Sequence, residues 1–318
     1  MPFTVCRLTT TLALLLLGAV VTQATAKEAP ERPAAPAEAA STPAKAPRSD
    51  AEVIKSIDAR IKQGWSDAAV SPSSHATDGE WCRRLYLDVL GRIPSLEEVT
   101  SFTKDRDRDK RAKLVDRLLA NDDTKDRYLE EYARNWATIW SNLLIGRTGG
   151  MDRRSLIDRD GMQQYLRRSF ERNKPYDRFV FELVSADGVN KPGEEDYNGA
   201  VNYLVEKLDE DGVQATAHVS RLFLGVQVQC TQCHNHPFNS WKQDQFWGMN
   251  AFFRQVRPLR TREGRDVVSV RLADEDFAGS SRDPKDATVS YELRNGVLAA
   301  VPPKFIDGTE SNPGCSVG

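Results

Sequence analysis

Histidine and methionine each occur only four times in this 318-residue chain, and cysteine five times. That scarcity, with a length sufficient for one large domain or two small ones, excludes a disulfide-stapled miniprotein. Neither sign of charge is in surplus: 44 Lys and Arg stand against 46 Asp and Glu, a net charge of −2. Without a basic excess there is no global electrostatic footprint for DNA or RNA, so no nucleic acid partner is expected. Long hydrophobic runs are also missing, since mean hydropathy is −0.53 and the one extended apolar stretch, residues 12–21, is shorter than the roughly 20 residues of a membrane helix. The chain has no phosphate-binding glycine loop, no nucleophile elbow and no HExxH helix, which leaves nucleotide and hydrolase chemistry without a motif. No period of 20–50 residues repeats, which argues against solenoids and propellers.

What the N-terminus does contain is Arg7, the apolar run, and small residues at Ala24 and Ala26. This is the pattern of a secretory signal peptide over residues 1–26, with an A-x-A cleavage site. The protein is therefore expected to be periplasmic or otherwise exported, with no stable membrane span after cleavage; an uncleaved anchor is the alternative. Cys6 precedes the apolar run, so a lipoprotein cleavage box is not supported. In residues 27–48, 13 of 22 residues are Ala or Pro, a composition expected to form a disordered linker.

Ser49 and Glu52 then make a possible capping box before Val53, Ile54, Ile57 and Ile61, which recur at helical spacing. Residues 80–90 read as a helix closed by Gly91, and a Ser95/Glu98 box opens the next. Ala112, Val115 and Leu118 mark another, and the stripe from Tyr128 through Trp136 to Leu143 a longer one. Beyond the break at Gly149 and Gly150, Tyr165, Leu166 and Phe170 lie on a helix that must end near Asn173, ahead of Pro175. Phe179, Val180, Leu183 and Val184 supply one more. Residues 188–199 read as a turn-rich acidic loop, and 214–224 as a helix.

The texture changes after Arg257: Val268, Val270 and Leu272 alternate, as do Val289, Tyr291 and Leu293, and Asn295–Gly296 offers a type I′ hairpin turn. The predicted fold is mainly α, a multi-helix bundle with a small C-terminal antiparallel β segment. Its expected parts are a helical domain over 49–256, a β-rich extension over 257–308 and a tail over 309–318.

One motif is sharp. Cys230, Thr231, Gln232, Cys233 and His234 form CxxCH, the attachment pattern of c-type haem, and with so few cysteines and histidines its chance occurrence is about 0.001. In that reading each thiol adds to a vinyl group and His234 becomes the axial iron ligand. Export supports it, because such attachment takes place outside the cytoplasm. Phe238, Trp241, Phe246, Trp247, Phe252 and Phe253 follow; they permit an apolar haem slot, although aromatic stripes at such spacing usually pack a core. Candidates for a sixth ligand are Met249, His236 and His218, and an open iron is equally compatible.

Alternatives attach to the same residues. Cys230, Cys233, His234 and His236 make a Cys₂His₂ set for zinc, with ligands closer together than zinc fingers place them. The two thiols also suit a structural disulfide, less so a thioredoxin-type dithiol, which expects a βαβ context. Cys82 sits in an apolar helical pattern and reads as core, and Cys315 as a tail residue. His75 reads as a solvated loop residue. The acidic runs 194–196 and 209–211 lack the ligand order of a calcium loop.

Four segments carry a family resemblance: RRLYLDVLGRIPSLEEV at 83–99, NWATIWSNLLIG at 135–146, NKPYDRFVFELVSADG at 173–188, and RLFLGVQVQCTQCHNHPFNSWKQDQFWGMNAFF at 221–253. Together they are similar to the PSCyt second domain, a planctomycete-type cytochrome-associated family of unknown function, over about residues 80–308. The resemblance implies a C-terminal companion domain and often an upstream cytochrome domain, neither of which this chain carries, so a truncated product is one expectation. It also extends the motif by Asn235, His236, Pro237 and Phe238, which ordinary cytochromes c do not require. The leading expectation is an exported haem-binding domain passing electrons to a redox partner protein or companion domain. The rivals are a structural or interaction module with a zinc or disulfide staple, and an accessory part of a larger extracytoplasmic redox enzyme.

Overall fold

The computed structural model describes residues 49–119, 127–152, 154–274 and 288–309. The signal segment, the Ala/Pro linker, the tail and Cys315 lie outside the described residues.

Nine α-helices and five strands occur among the described residues, so the protein is mainly α with a small sheet near its C-terminus. Three helices open on reciprocal capping boxes: α1 (Asp50–Asp67) on Ser49 and Glu52, α2 (Asp78–Leu90) on Thr77 and Glu80, and α3 (Leu96–Lys104) on Ser95 and Glu98. In each, the cap hydroxyl accepts a backbone N–H and the Glu carboxylate accepts the cap residue's own N–H, which satisfies donors that the first turn leaves orphaned. Helix α2 thus starts two residues earlier than the apolar pattern suggests.

Helices α2, α3, α4 (Lys110–Leu119) and the first turns of α5 (Arg127–Ile145) enclose one core, centred on Cys82, Tyr86, Leu90, Phe102 and Leu118. Gly91 ends α2 in the left-handed region, φ 70°, and a Cβ there would stand 2.2 Å from Asn135 Oδ1 on α5. Glycine is required on both counts.

The C-terminal half of α5 runs into a second, larger core with α6 (Arg159–Glu171), α7 (Tyr176–Val184), a 3-10 turn at Gly199–Tyr203 and α8 (Val213–Phe223). Helix α6 ends in a Schellman motif: Asn173 adopts φ 44°, its N–H donates to Phe170 O at 3.1 Å, and Lys174 N–H to Ser169 O at 2.9 Å. The stop ahead of Pro175 is therefore made by an Asn in the place glycine usually takes.

The segment expected as a plain acidic loop contains β1 (Gly188–Val189), which pairs antiparallel with β3 (Asp266–Asp274); β3 pairs in turn with β2 (Val256–Glu263). At this junction two buried amides share one network. Asn202 Oδ1 accepts Asp158 N–H at 2.7 Å and Asn190 Nδ2 at 3.2 Å, while Asn190 Oδ1 accepts Val270 N–H at 2.8 Å. Sheet, turn and the start of α6 are joined there.

Strands β4 (Val289–Glu292) and β5 (Leu298–Val301) form the expected hairpin. Its turn is not type I′, because only Gly296 has positive φ, 80°, and Asn295 does not. Leu293 N–H donates to Val297 O and Gly296 N–H to Leu293 O, the three-residue loop of a type I turn followed by a left-handed glycine.

Helix α1 forms as the periodicity predicts yet buries none of its residues, with Val53, Ile54, Ile57 and Ile61 between 41% and 58% exposed. No described helix is long and apolar enough to cross a membrane.

Candidate functional site

The CxxCH motif lies on the connection between α8 and α9 (Gln243–Phe253). Helix α8 stops at Phe223, Gly225 turns the chain at φ 68°, and Val226 N–H donates back to Ser220 O. Val228 then drops into a small satellite core with Val213 and Phe246. A short 3-10 turn over Gln229–Gln232 follows. Thr231 is its inward member, fully buried, with both N–H and Oγ1 donating to Val228 O at 2.9 and 2.6 Å. Gln232 beside that anchor is half-buried, while Cys230, Cys233 and His234 are all exposed. Neither thiol is in a disulfide.

The turn is held to α9 from both ends. Gln232 O accepts two side-chain donors, Gln243 Nε2 at 3.2 Å and Trp247 Nε1 at 3.1 Å. Asn235 Oδ1 accepts Gln243 N–H at 3.0 Å, supplying the cap that Lys242 has no side-chain oxygen to provide. His236 N–H donates to Trp241 O at 2.9 Å. The second cysteine and His234 thus sit on a two-residue span between clamped neighbours.

The two histidines of this loop are in opposite tautomers. His234 Nδ1 lies 2.7 Å from Asn235 O; a carbonyl only accepts, so Nδ1 carries the proton and Nε2 keeps a free lone pair. That is the arrangement in which an imidazole ligates metal through Nε2, with its other nitrogen donating to a carbonyl. His236 Nδ1 instead accepts Phe238 N–H at 3.2 Å, which places the proton of the neutral ring on Nε2. His234 thus has Nε2 as its free nitrogen, whereas His236 has Nδ1 engaged by a backbone N–H.

The other candidate ligands point elsewhere in the fold. Met249 packs against the large core. His218 is on α8, half-buried, its Nδ1 paired with Tyr203 OH at 3.0 Å; burial, with Lys207 and Arg221 nearby, lowers its pKa to about 4. Lys207 itself donates to Leu144 O at 2.6 Å at the end of α5, and burial lowers its pKa to about 8. This is a helix-terminal cap of the kind a cation makes with the last carbonyls. His75 is exposed in its loop. Among the described residues no group of three or more His, Cys, Asp or Glu side chains is placed to hold a metal ion, so Cys230, Cys233, His234 and His236 do not converge as a set.

The aromatic residues after the motif do not form one slot. Phe246 belongs to the satellite core and Phe253 to the large one, while Phe252 stacks on Phe305 with centroids 4.9 Å apart and Trp247 on Tyr291 at 6.0 Å. Trp241 borders the satellite core and Phe238 is 92% exposed. These aromatics are packing residues, apart from Phe238, which has water on nearly all sides.

The family model PSCyt2, described as a protein of unknown function (DUF1549), matches residues 56–258. The chain belongs to that family. The PSCyt2 match begins inside α1 and ends at Pro258, so it takes in the CxxCH turn and all of α9 but leaves β3, β4 and β5 beyond it. No curated protein and no solved structure matches the chain.

Sequence reasoning did not find the clamp. Gln243 has no motif around it, and its part depends on meeting Gln232 eleven residues earlier. The opposed tautomers of His234 and His236 likewise come from backbone carbonyl and amide positions that no spacing rule encodes.

Proposed function

We propose that this PSCyt2 protein is an exported c-type haem-binding protein in which Cys230 and Cys233 would hold the porphyrin covalently, His234 Nε2 would hold the iron, and electron transfer is the activity. The observation that carries the reading is the exposed order thiol, thiol, imidazole, with the proton of His234 held on Nδ1 by Asn235 O. Attachment requires each S–H to add across a vinyl double bond, and both thiols are accessible for it. Bound haem would supply an iron that cycles between two oxidation states.

The residues present fit the anchors and the axial ligand but not an enclosing pocket, since the aromatic residues are engaged elsewhere. What the chain does at this site is therefore to fix and to orient. Thr231 anchors the turn, Gln243 and Trp247 hold the carbonyl before Cys233, and Asn235 both caps α9 and orients His234. Met249 packs in the large core, His218 pairs with Tyr203 and His236 Nδ1 accepts Phe238 N–H, so none of the three would hold the group. On this exposed turn a bound haem would exchange electrons with a redox partner protein or companion domain, and Phe238, 92% exposed, would offer an apolar contact.

The test is to express the chain with its signal segment in a host that matures c-type cytochromes. We expect a haem stain that survives denaturing electrophoresis, one haem per chain, lost in Cys230→Ser/Cys233→Ser. Substituting His234→Ala should keep the covalent stain and change the spectrum. A colourless exported product, or one zinc per chain by elemental analysis, overturns the reading.

A further inference from the structure

The sequence contains two Asn–Gly pairs, Asn198–Gly199 and Asn295–Gly296, and the fold places them in opposite surroundings. An asparagine before glycine can react with its own backbone, because a glycine without Cβ lets its nitrogen close on the neighbouring Asn Cγ. That closure needs a side-chain amide free to leave, a backbone free to rotate, and water at the carbonyl.

Asn198 meets none of these needs. Its Nδ2 donates to Asp187 O at 2.8 Å and its Oδ1 accepts Ala200 N–H at 3.1 Å, so both ends of the amide are held. Its own N–H donates to Val189 O at 2.8 Å and its carbonyl accepts Val201 N–H at 3.2 Å, which fixes the backbone on either side. Gly199 is buried, and a Cβ there would stand 2.6 Å from Gly161 O. The nitrogen has no room to turn onto Cγ.

Asn295 meets all three. It stands with Arg294 and Gly296 in the exposed loop that joins β4 to β5. Its Oδ1 accepts Val297 N–H at 3.1 Å, while Nδ2, the leaving group, has no partner among the described residues. A single bond restrains the attacking nitrogen, from Gly296 N–H to Leu293 O at 2.8 Å. Loop tips are among the least protected parts of a fold, so that bond opens without the core. Space is available too, since a Cβ on Gly296 would meet only Glu292 Oε1, at 4.0 Å.

We infer that Asn295 is a site of spontaneous succinimide formation and deamidation, and that the fold protects Asn198 from the same reaction. Gly296 N forms a bond to Asn295 Cγ, the Cγ–Nδ2 bond breaks, and ammonia leaves with the proton that Gly296 N–H gives up. One water then opens the imide. Opening at Cγ yields aspartate, and opening at the main-chain carbonyl yields isoaspartate, with the chain routed through Cβ. Nothing is oxidised, and residue 295 gains a negative charge. The isoaspartyl form adds a backbone atom to a loop whose length sets its turn, so the closing bond from Leu293 N–H to Val297 O, 2.9 Å, is lost. The reaction does not involve the CxxCH turn or a prosthetic group.

The test incubates the full exported chain, folded, in H₂¹⁸O at mildly alkaline pH. Peptides are then mapped by mass spectrometry with electron-transfer fragmentation, which separates aspartate from isoaspartate. Residue 295 should take up one ¹⁸O and appear in both forms. It should do so at least about tenfold faster than residue 198, the scale of the further hydrogen bonds that Asn198 must break. In urea the two rates should converge, because the difference belongs to the fold. Hydrogen exchange at Leu293 and Gly296 should be faster in the isoaspartyl product. No ¹⁸O at residue 295 in the folded chain, equal rates at 198 and 295 in the folded chain, or aspartate without isoaspartate overturns the assignment.

Discussion

Gln243 and Trp247 donate to the same carbonyl, and that shared acceptor makes a specific energetic prediction. Gln243 is 4% exposed and its Nε2 bonds both Gln232 O and, at 2.8 Å, Glu292 O on β4. Gln243→Met keeps the volume and removes both bonds, which at about 0.5–1.5 kcal/mol each puts the loss at roughly 1–3 kcal/mol. Gln232 O still has Trp247. Trp247→Phe removes the indole donor and some ring contact with Tyr291, a loss of about 1–2 kcal/mol, and Gln232 O still has Gln243.

With both changes the carbonyl of the half-buried Gln232 keeps neither side-chain donor, which costs a further ~1 kcal/mol, the low end of the penalty for an unpaired group. The double variant should therefore be less stable than the sum of the singles by about 1 kcal/mol, a coupling typical of residues in one network. Urea unfolding of the four proteins measures it. A second readout accompanies the energies: in haem-free protein produced without the signal segment and carrying Cys315→Ser, the exposed Cys230 and Cys233 should react with a thiol reagent in the folded state and the buried Cys82 only on unfolding. Hydrogen exchange at residues 232–235 should accelerate most in the double variant. If the energies add to within about 0.3 kcal/mol, the shared clamp is not what holds the turn.

Other predictions concern the frame. Asn202→Leu leaves Asp158 N–H and Asn190 O without the partners they have at 2.7 and 3.1 Å, so chemical unfolding should show a loss of roughly 3–5 kcal/mol; a loss under about 1 kcal/mol would refute the buried network. His218 has a folded pKa of about 4 against an ordinary 6.5, so the unfolded chain binds the extra proton in that interval and stability must fall as pH drops from 6.5 to 4. NMR titration of the ring should find the low midpoint, and His218→Gln should flatten that part of the stability curve. Starting the chain at Ser71 removes α1, which buries nothing, and should lower the melting temperature by no more than about 2 °C; a large drop would mean that α1 is covered in solution.

The sequence was most legible where a local rule sufficed. Ser49/Glu52 and Ser95/Glu98 state their capping boxes within four residues, and the stripe along α5 states the helix, although Ile139 and Leu143 are exposed while Ala133, Ala137 and Leu144 are buried. It was less legible where two rules compete. Asn295–Gly296 suits type I′, but the partner strands here take the three-residue loop, and that choice belongs to the hairpin as a whole. Val53, Ile54, Ile57 and Ile61 are periodic, yet periodicity reports only that a face exists and not what covers it. Residues 188–189 were unreadable as a strand because their partner lies some eighty residues away and two residues show no alternation.

The same distinction governs the site. CxxCH is legible as a pattern because the covalent anchoring it would serve demands two thiols and an imidazole at fixed spacing, whatever the surroundings. A pocket has no such spacing. The aromatic run from Phe238 to Phe253 was compatible with a haem slot or with core packing, and the fold divides it among two cores, two stacking pairs and one solvent-facing ring, so the run conveys packing. By contrast, the aromatic residues that do surround a cavity are Tyr132, Trp136, Trp140, Phe170, Tyr176 and Phe179, spread across three helices. Each helix taken singly shows only an apolar face. Their common space follows from the Schellman turn at Asn173, which sets the direction from α6 into α7, and from the register of α5 against both. Chemistry written in spacing can be read from a chain, whereas a cavity assembled from three faces requires the packing that brings them together.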